Sequence, residues 1–160
     1  MSVVSLSDEQ IQRLICCPKQ VDNPDVKPKK EARHIRRDFV AHSLDSPDKF
    51  VVFTRQSTII PDSFTAGLRW KSPSGEEIIL LRCNGSDHPH HNSIERIRFC
   101  DECHVHQATE RYIISGKDAE SFAEPVRAYN SLAGALSHLM ELANISGMVH
   151  QFDLFAPSEP

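Results

Sequence analysis

The sequence contains no apolar run that approaches the ~18 consecutive residues of a membrane-spanning helix. We also expect no secretory signal, because the residues after Met1 become polar within a few positions and do not form an apolar segment. Its net charge of −4 argues against a protein that binds nucleic acid through a strongly basic surface. Internal repeats and low-complexity segments are absent as well. These absences predict a globular, cytoplasmic protein with no membrane partner.

Cysteine and charge add two further expectations. The number of cysteines is odd, at five, which favours free thiols in a reducing compartment over a disulfide framework. Lysine and arginine crowd residues 19–37, whereas the C-terminal part is acidic. The basic segment is either a solvated loop or a local patch that meets RNA or an acidic protein.

A length of 160 residues predicts one domain over residues 1–160. Ser7 is expected to cap a first helix that runs to Cys16, and Gln10 completes a capping box with it. Residues 18–32 carry three prolines among polar residues and are predicted to be a flexible connector. Residues 151–160 are predicted to be a frayed tail.

The middle of the chain is rich in β-branched and alternating segments. The turns between most of these segments are short, which favours antiparallel neighbours in a meander. After Gly116 the pattern is helical, with a short helix over 118–122 and a longer one between Ser131 and Gly147. The sequence therefore predicts an α+β fold with a single antiparallel sheet of about five strands, an N-terminal helix and a C-terminal helical pair. The predicted strands are 33–44, 49–60, 63–70, 76–83 and 97–107.

Residues 83–110 concentrate the side chains that carry chemistry. This stretch holds five of the nine histidines and three of the five cysteines. Imidazole and thiolate ligate metals, and imidazole also transfers protons near neutral pH. Because successive side chains of a strand point to opposite faces, His104 and His106 are expected side by side, with Glu102 next along. Glu110 would join that face if the strand continued.

The first functional hypothesis is metal-free acid–base catalysis. His104 and His106 would act as acid and base, and Glu102 or Glu110 would orient one ring. RNA fits this scheme because its own 2′-hydroxyl is a nucleophile, and Arg55, Arg82 or Arg111 would hold the phosphate.

The second hypothesis is a divalent metal site for zinc, iron, manganese or nickel. The spacing of His104, His106 and Glu110 resembles the first half of the cupin signature, although the expected upstream glycine and the second cupin motif are missing. A third alternative is structural zinc at Cys100 and Cys103, in a knuckle-like spacing with Cys83 and His88 as partners. Without any site, the histidines would be solvated or buried without a role. The candidate ligands of the second hypothesis are His88, His90, His91, His104, His106 and Glu110.

The segment H-V-H-Q-A-T-E-R-Y resembles a family of small, uncharacterised bacterial proteins. The resemblance extends to L-S-D-E-Q-I-Q, N-G-S-D-H-P-H-H-N, A-E-P-V-R-A-Y and L-A-G-A-L, and so covers most of the chain outside residues 18–35. It implies a bacterial or phage source, a single compact domain and a role for the histidine segment. It carries no established activity.

The general plan of a helix, an antiparallel sheet and paired histidines is also similar to that of RelE-type ribonuclease toxins, by analogy of architecture. We therefore expect a metal-independent, toxin-like ribonuclease, with RNA and a cognate antitoxin as partners. The alternatives are a cytoplasmic metal-binding domain, cupin-like or zinc-stabilised, and a non-enzymatic adaptor of a defence or toxin–antitoxin module.

Overall fold

The computed structural model describes residues 5–148 of the chain as a large mixed sheet with three helices. A second, two-stranded sheet lies beside it. The elements in chain order are α1 (Asp8–Cys16), β1 (Lys19–Val21), β2 (Lys29–Glu31), β3 (His34–Ser43), β4 (Lys49–Ser57), β5 (Phe64–Lys71), β6 (Glu77–Asn84), β7 (His90–Asn92), β8 (Ile97–Phe99), β9 (His104–Gln107), α2 (Glu110–Ile114), β10 (Phe122–Pro125), α3 (Leu132–Leu142) and β11 (Ile145–Ser146).

The main sheet has the strand order β10-β9-β6-β5-β4-β3-β1-β11, and β2 pairs with β3 off this path. Strands β3 to β6 form the antiparallel meander that the short turns predict. The α+β class is confirmed, but within residues 5–148 the main sheet has nine strands rather than about five. The additional strands at the edges are two to four residues long, too short to produce a recognisable alternation.

Three segments differ from their predictions. The strand expected over 97–107 is interrupted at Asp101, whose φ is 59°, so that β8 pairs with β7 and only β9 joins the main sheet. The first member of the predicted helical pair, over 118–122, is absent; the chain forms α2 earlier and enters β10 at Phe122. Residues 18–32, expected to be a connector, contribute β1 and β2. The predicted tail over 151–160 lies outside the described residues.

One face of the sheet is covered by helices and forms the apolar core. Helix α1 begins with the predicted capping box at Ser7 and Gln10 and buries Ile11, Leu14 and Ile15. Helix α3 lies over β4, β5 and β6 and buries an apolar stripe of its own. Each of these large side chains contributes about 1.5–3 kcal/mol when it is fully buried. The core therefore fixes which face of the sheet remains open to carry a site.

The other face of the sheet carries polar side chains in rows across the strands. Residues paired in register point to the same face, so Arg82 of β6 and His106 of β9 are neighbours, as are Asn84 and His104. Within the described residues, no helix is long and apolar enough to cross a membrane.

Candidate metal centre

Three imidazole rings meet on the open face of the sheet, over β9. His104 and His106 lie two residues apart in β9, and their ring centroids are 5.0 Å apart. His90 comes from β7, with its ring centroid 5.6 Å from that of His104 and 4.7 Å from that of His106. One ring nitrogen from each residue lies within 4.8 Å of the other two. Within residues 5–148 this is the group of three or more His, Cys, Asp or Glu side chains whose ligand atoms converge.

Strand β9 brings two of the rings together because of its alternation. His104 and His106 are 3% and 4% exposed, whereas Val105 and Gln107 point to the helical side. The ring of Phe99, from β8, packs 5.3 Å from His104 and 5.4 Å from His90. The site therefore has an apolar wall next to its imidazoles.

The hairpin of β7 and β8 supplies the third ring, and Asn92 holds it in place. The Asn92 side chain is 3% exposed and makes two hydrogen bonds with the backbone of Ala123 in β10. Its Oδ1 also lies 2.7 Å from Nε2 of His90. Since Oδ1 already accepts from the Ala123 N–H, Nε2 of His90 is the donor to it. Asn92 therefore docks the hairpin on the main sheet and orients His90 at the same time.

Main-chain carbonyls orient the other two rings. Nδ1 of His104 lies 3.0 Å from the carbonyl oxygen of Glu102, and Nδ1 of His106 lies 2.8 Å from that of Glu120. A carbonyl oxygen accepts only, so both Nδ1 atoms carry the proton in the neutral ring. The lone pairs then remain on Nε2 of His104, Nε2 of His106 and Nδ1 of His90.

Burial keeps the two strand histidines neutral. It lowers the pKa of His106 to about 3, with Arg82 and His104 adding repulsion. Burial also lowers the pKa of His104, although the hydrogen bond to the Glu102 carbonyl acts to raise it. Neutral imidazole is the form that binds a metal ion.

Arg82 and Glu120 lie next to the imidazoles. Arg82 is paired with His106 across the strands, and its Nη2 is 3.7 Å from Oε1 of Glu120. The Glu120 side chain is 11% exposed, and burial raises its pKa although Arg82 opposes the rise. A buried acid and a cation therefore flank the three rings.

Two clefts open next to the imidazole group. One has a volume of about 220 Å³ and is lined by His104, Arg82, Asn84 and Arg55, among others. The other has a volume of about 560 Å³ and is lined by His90, His106 and Arg82, among others. The rings are thus reached from solvent although two of them are almost fully buried.

A family model for a family of unknown function, DUF6978, matches residues 6–145. The chain belongs to DUF6978. This agrees with the resemblance to an uncharacterised family in the sequence. A search of curated proteins gave no match, and neither did a search of solved structures.

Several residues predicted for this site lie elsewhere in this DUF6978 chain. Glu110 begins α2 and its backbone N–H donates to Asp8, because the strand ends at Gln107 instead of continuing. The predicted cupin-like spacing therefore does not bring Glu110 to the imidazoles. Glu102 is exposed and contributes its carbonyl rather than its carboxylate.

Of the three histidines at positions 88, 90 and 91, His90 joins the cluster and the other two do not. His91 is exposed and lines the larger cleft, but its ring nitrogens do not belong to the converging group. His88 is 79% exposed and lies 3.2 Å from Asp87. Arg55 is exposed on β4 and lines the smaller cleft. Arg82 is the predicted arginine that lies beside the rings.

The cysteines do not form the zinc knuckle considered from the sequence. Cys83 is buried in the core on the helical side, and burial raises the pKa of its thiol to about 12. Cys100 is exposed and Cys103 is half-buried. None of them belongs to a converging group of ligands among residues 5–148.

Two orienting residues were missed by sequence reasoning. Asn92 stands beside the histidine run but reads as an ordinary turn residue, and Glu120 was placed in a helix. The spacing of His90 and Asn92, two apart in an alternating segment, was an available signal for Asn92. Nothing local marks Glu120, since its carbonyl meets His106 only through the pairing of β10 with β9.

Proposed function

We propose that the protein binds one divalent transition-metal ion through His90, His104 and His106 and uses it as a hydrolytic metal centre. The observation that carries the proposal is the hydrogen-bonding of the rings. Each imidazole has one nitrogen engaged by a protein acceptor, and one nitrogen of each ring converges with the others. Such outer partners fix the tautomer and orientation of metal-ligating histidines.

Zinc is the best-matched ion. Three neutral imidazoles with a further coordination position left for water form a known type of catalytic zinc site, whereas structural zinc sites have four protein ligands. When bound, zinc lowers the pKa of its water ligand to about 7 and so supplies a nucleophile for hydrolysis. The clefts beside the rings leave room for a water molecule and a substrate.

The metal-free ribonuclease expected from the sequence stays a prediction, but the burial of the two histidines favours the metal centre. A general acid must hold its proton near the working pH. The pKa of His106 is about 3, and that of His104 is also lowered. RNA, a cognate antitoxin and the likeness to RelE-type toxins are likewise predictions that await a test.

The test is a zinc titration of metal-stripped protein, followed by dialysis and elemental analysis. We expect one zinc ion per chain, and each of His90→Ala, His104→Ala and His106→Ala is expected to weaken binding by at least roughly 100-fold. His91→Ala is the matched control, because it removes an adjacent imidazole that lines the larger cleft but does not belong to the converging group. Cobalt substitution would report a tetrahedral site by its visible absorption.

Wild-type protein that takes up no stoichiometric metal would overturn the proposal and return His104 and His106 to the acid–base hypothesis. Equal zinc binding by His91→Ala and His90→Ala would also contradict it, since the site would then not depend on the convergent rings.

A further inference from the structure

Arg82 has an unusual position for a cation. Its side chain is 31% exposed, yet its Nε is buried and has no hydrogen-bond partner among the described residues. The nearest carboxylate oxygen, Oε1 of Glu120, is 3.7 Å from Nη2, which is too long for a hydrogen bond. Buried donors are almost always satisfied, so an orphaned one next to a candidate active site calls for an explanation.

The surroundings of Arg82 favour an anion as the missing partner. Arg82 lines both clefts beside the imidazoles, and Arg55 lines the smaller one with it. His34 and His88 also lie at this cleft, together with the amide of Asn84. Two carboxylates are present too, Asp62 and Asp87. Asp87 lies 3.2 Å from Nε2 of His88, so it already has a local partner.

We propose that Arg82 and Arg55 bind a phosphate ester in the cleft next to the three imidazoles. The guanidinium group offers several N–H donors in a plane that matches two oxygens of a phosphate. A phosphate ester carries up to about two negative charges near pH 7 and has oxygens left over for a metal ion. A carboxylate has a single charge and two oxygens, so it would satisfy Arg82 but leave Arg55 unused.

This inference deepens the proposed function, because a metal ion held by the three imidazoles would supply an activated water next to the bound ester. Hydrolysis would form a new P–O bond to the oxygen of water and break the P–O bond to the leaving group. The water would give up a proton to solvent, and the leaving oxygen would take one up and depart as an alcohol. The binding of the phosphate to the two arginines does not itself require the metal. The two proposals can therefore fail separately.

The experiment is calorimetric titration of inorganic phosphate into the full chain, both metal-stripped and zinc-loaded. We expect Arg82→Gln to weaken phosphate binding about tenfold or more, as for the loss of a charge-assisted hydrogen bond. Arg55→Gln is expected to weaken it severalfold, and zinc stoichiometry should not change in either variant. Arg69→Gln is the control, because it removes the same charge from the open face but lies over Phe53, away from both clefts.

The phosphate site is overturned if Arg82→Gln binds phosphate as tightly as the wild type. It is also overturned if sodium acetate binds as tightly as phosphate, since Arg82 would then receive a carboxylate. If circular dichroism shows that Arg82→Gln does not fold, the exposed Arg55→Gln decides, and an unchanged phosphate affinity there overturns the proposal. Wild-type protein that binds phosphate but no zinc would overturn the metal centre alone.

Discussion

Each of the three imidazoles is oriented by a different partner, and this difference decides what mutagenesis can test. His104 and His106 donate to main-chain carbonyls, which no substitution removes directly. His90 donates to the side chain of Asn92, which can be changed. Asn92 is therefore the residue whose substitution separates orientation of a ligand from loss of the ligand.

Asn92→Ala is expected to lower zinc affinity by about 10- to 100-fold while all three imidazoles remain, because His90 loses the acceptor that fixes its tautomer. Zinc titration with a competing chelator measures the effect. Asn92→Asp retains an oxygen for both His90 and the Ala123 N–H and should keep more of the affinity. Equal zinc affinity of the two variants would show that the hydrogen bond to His90 does not determine how tightly zinc binds.

Lys19 is a second buried residue whose hydrogen bonds can be tested by substitution. It is completely buried, and its ammonium donates to the carbonyl oxygens of Ile15, Cys17 and Ala143 at 2.7, 2.8 and 2.7 Å. The first two lie at the end of α1 and the third follows α3. One cation thus satisfies carbonyls that both helix ends leave unpaired.

Lys19→Met should lower the free energy of unfolding by roughly 2–4 kcal/mol, because it leaves these buried acceptors without a donor. Denaturant unfolding measures the loss. Lys49→Met is the matched control on the exposed side of the sheet and should have little effect. If the unfolding free energy of Lys19→Met falls no further than that of Lys49→Met, water replaces the ammonium and the prediction is wrong.

At the scale of elements, the hairpin of β7 and β8 depends on its attachment to α2. The Tyr112 hydroxyl donates to Glu95 at 2.6 Å, and Nε of Arg111 donates to the other oxygen of Glu95 at 2.7 Å. The backbone N–H of Ile94 donates to the Tyr112 hydroxyl in turn. Since His90 lies on this hairpin, the attachment also supports the third imidazole of the candidate site.

The attachment should depend on pH through Glu95. Partial burial acts to raise the pKa of Glu95, but the hydrogen bonds from Tyr112 and Arg111 outweigh it and hold the pKa below its usual value. A carboxyl whose pKa is lower in the folded state stabilises the fold above its unfolded pKa of about 4.3. That contribution is lost as the pH falls through the folded pKa.

Glu95→Gln is therefore expected to be less stable than the wild type near neutral pH and to approach it below about pH 4. Thermal unfolding at a series of pH values measures the difference, and amide hydrogen exchange in residues 90–99 localises it. A stability difference that does not change between neutral and acidic pH would contradict the role of the carboxylate charge.

At the scale of the whole molecule, the two faces of the sheet differ in what they carry. Helices α1 and α3 cover one face and supply the core, while the other face carries the imidazoles and arginines. A metal ion at His90, His104 and His106 would join the small β7–β8 sheet to the main one. Metal binding should therefore stabilise the protein as well as complete its site.

Zinc at about 100 times its dissociation constant should raise the free energy of unfolding by about 2.7 kcal/mol, if the unfolded chain binds zinc weakly. For a chain of this size that corresponds to an increase in melting temperature of roughly 5–11 °C. Calorimetry with and without excess chelator measures the shift. His104→Ala should show none, and an equal shift in that variant would mean that zinc binds elsewhere.

The sequence by itself determined the local features. The capping box at Ser7, the meander of β3 to β6 and the alternation that places His104 beside His106 all follow from residues a few positions apart. Such features depend on hydrogen bonds and side-chain directions that are set within one element. The family of the chain also follows from the sequence.

Only the tertiary structure decided how the site is assembled. The turn at Asp101 redirects β8 to β7, and this brings His90 rather than Glu110 to the two strand imidazoles. The carbonyl of Glu120 reaches His106 through the pairing of β10 with β9. Strands of two to four residues carry too little pattern to predict their partners, because their pairing depends on the surface that the rest of the fold presents.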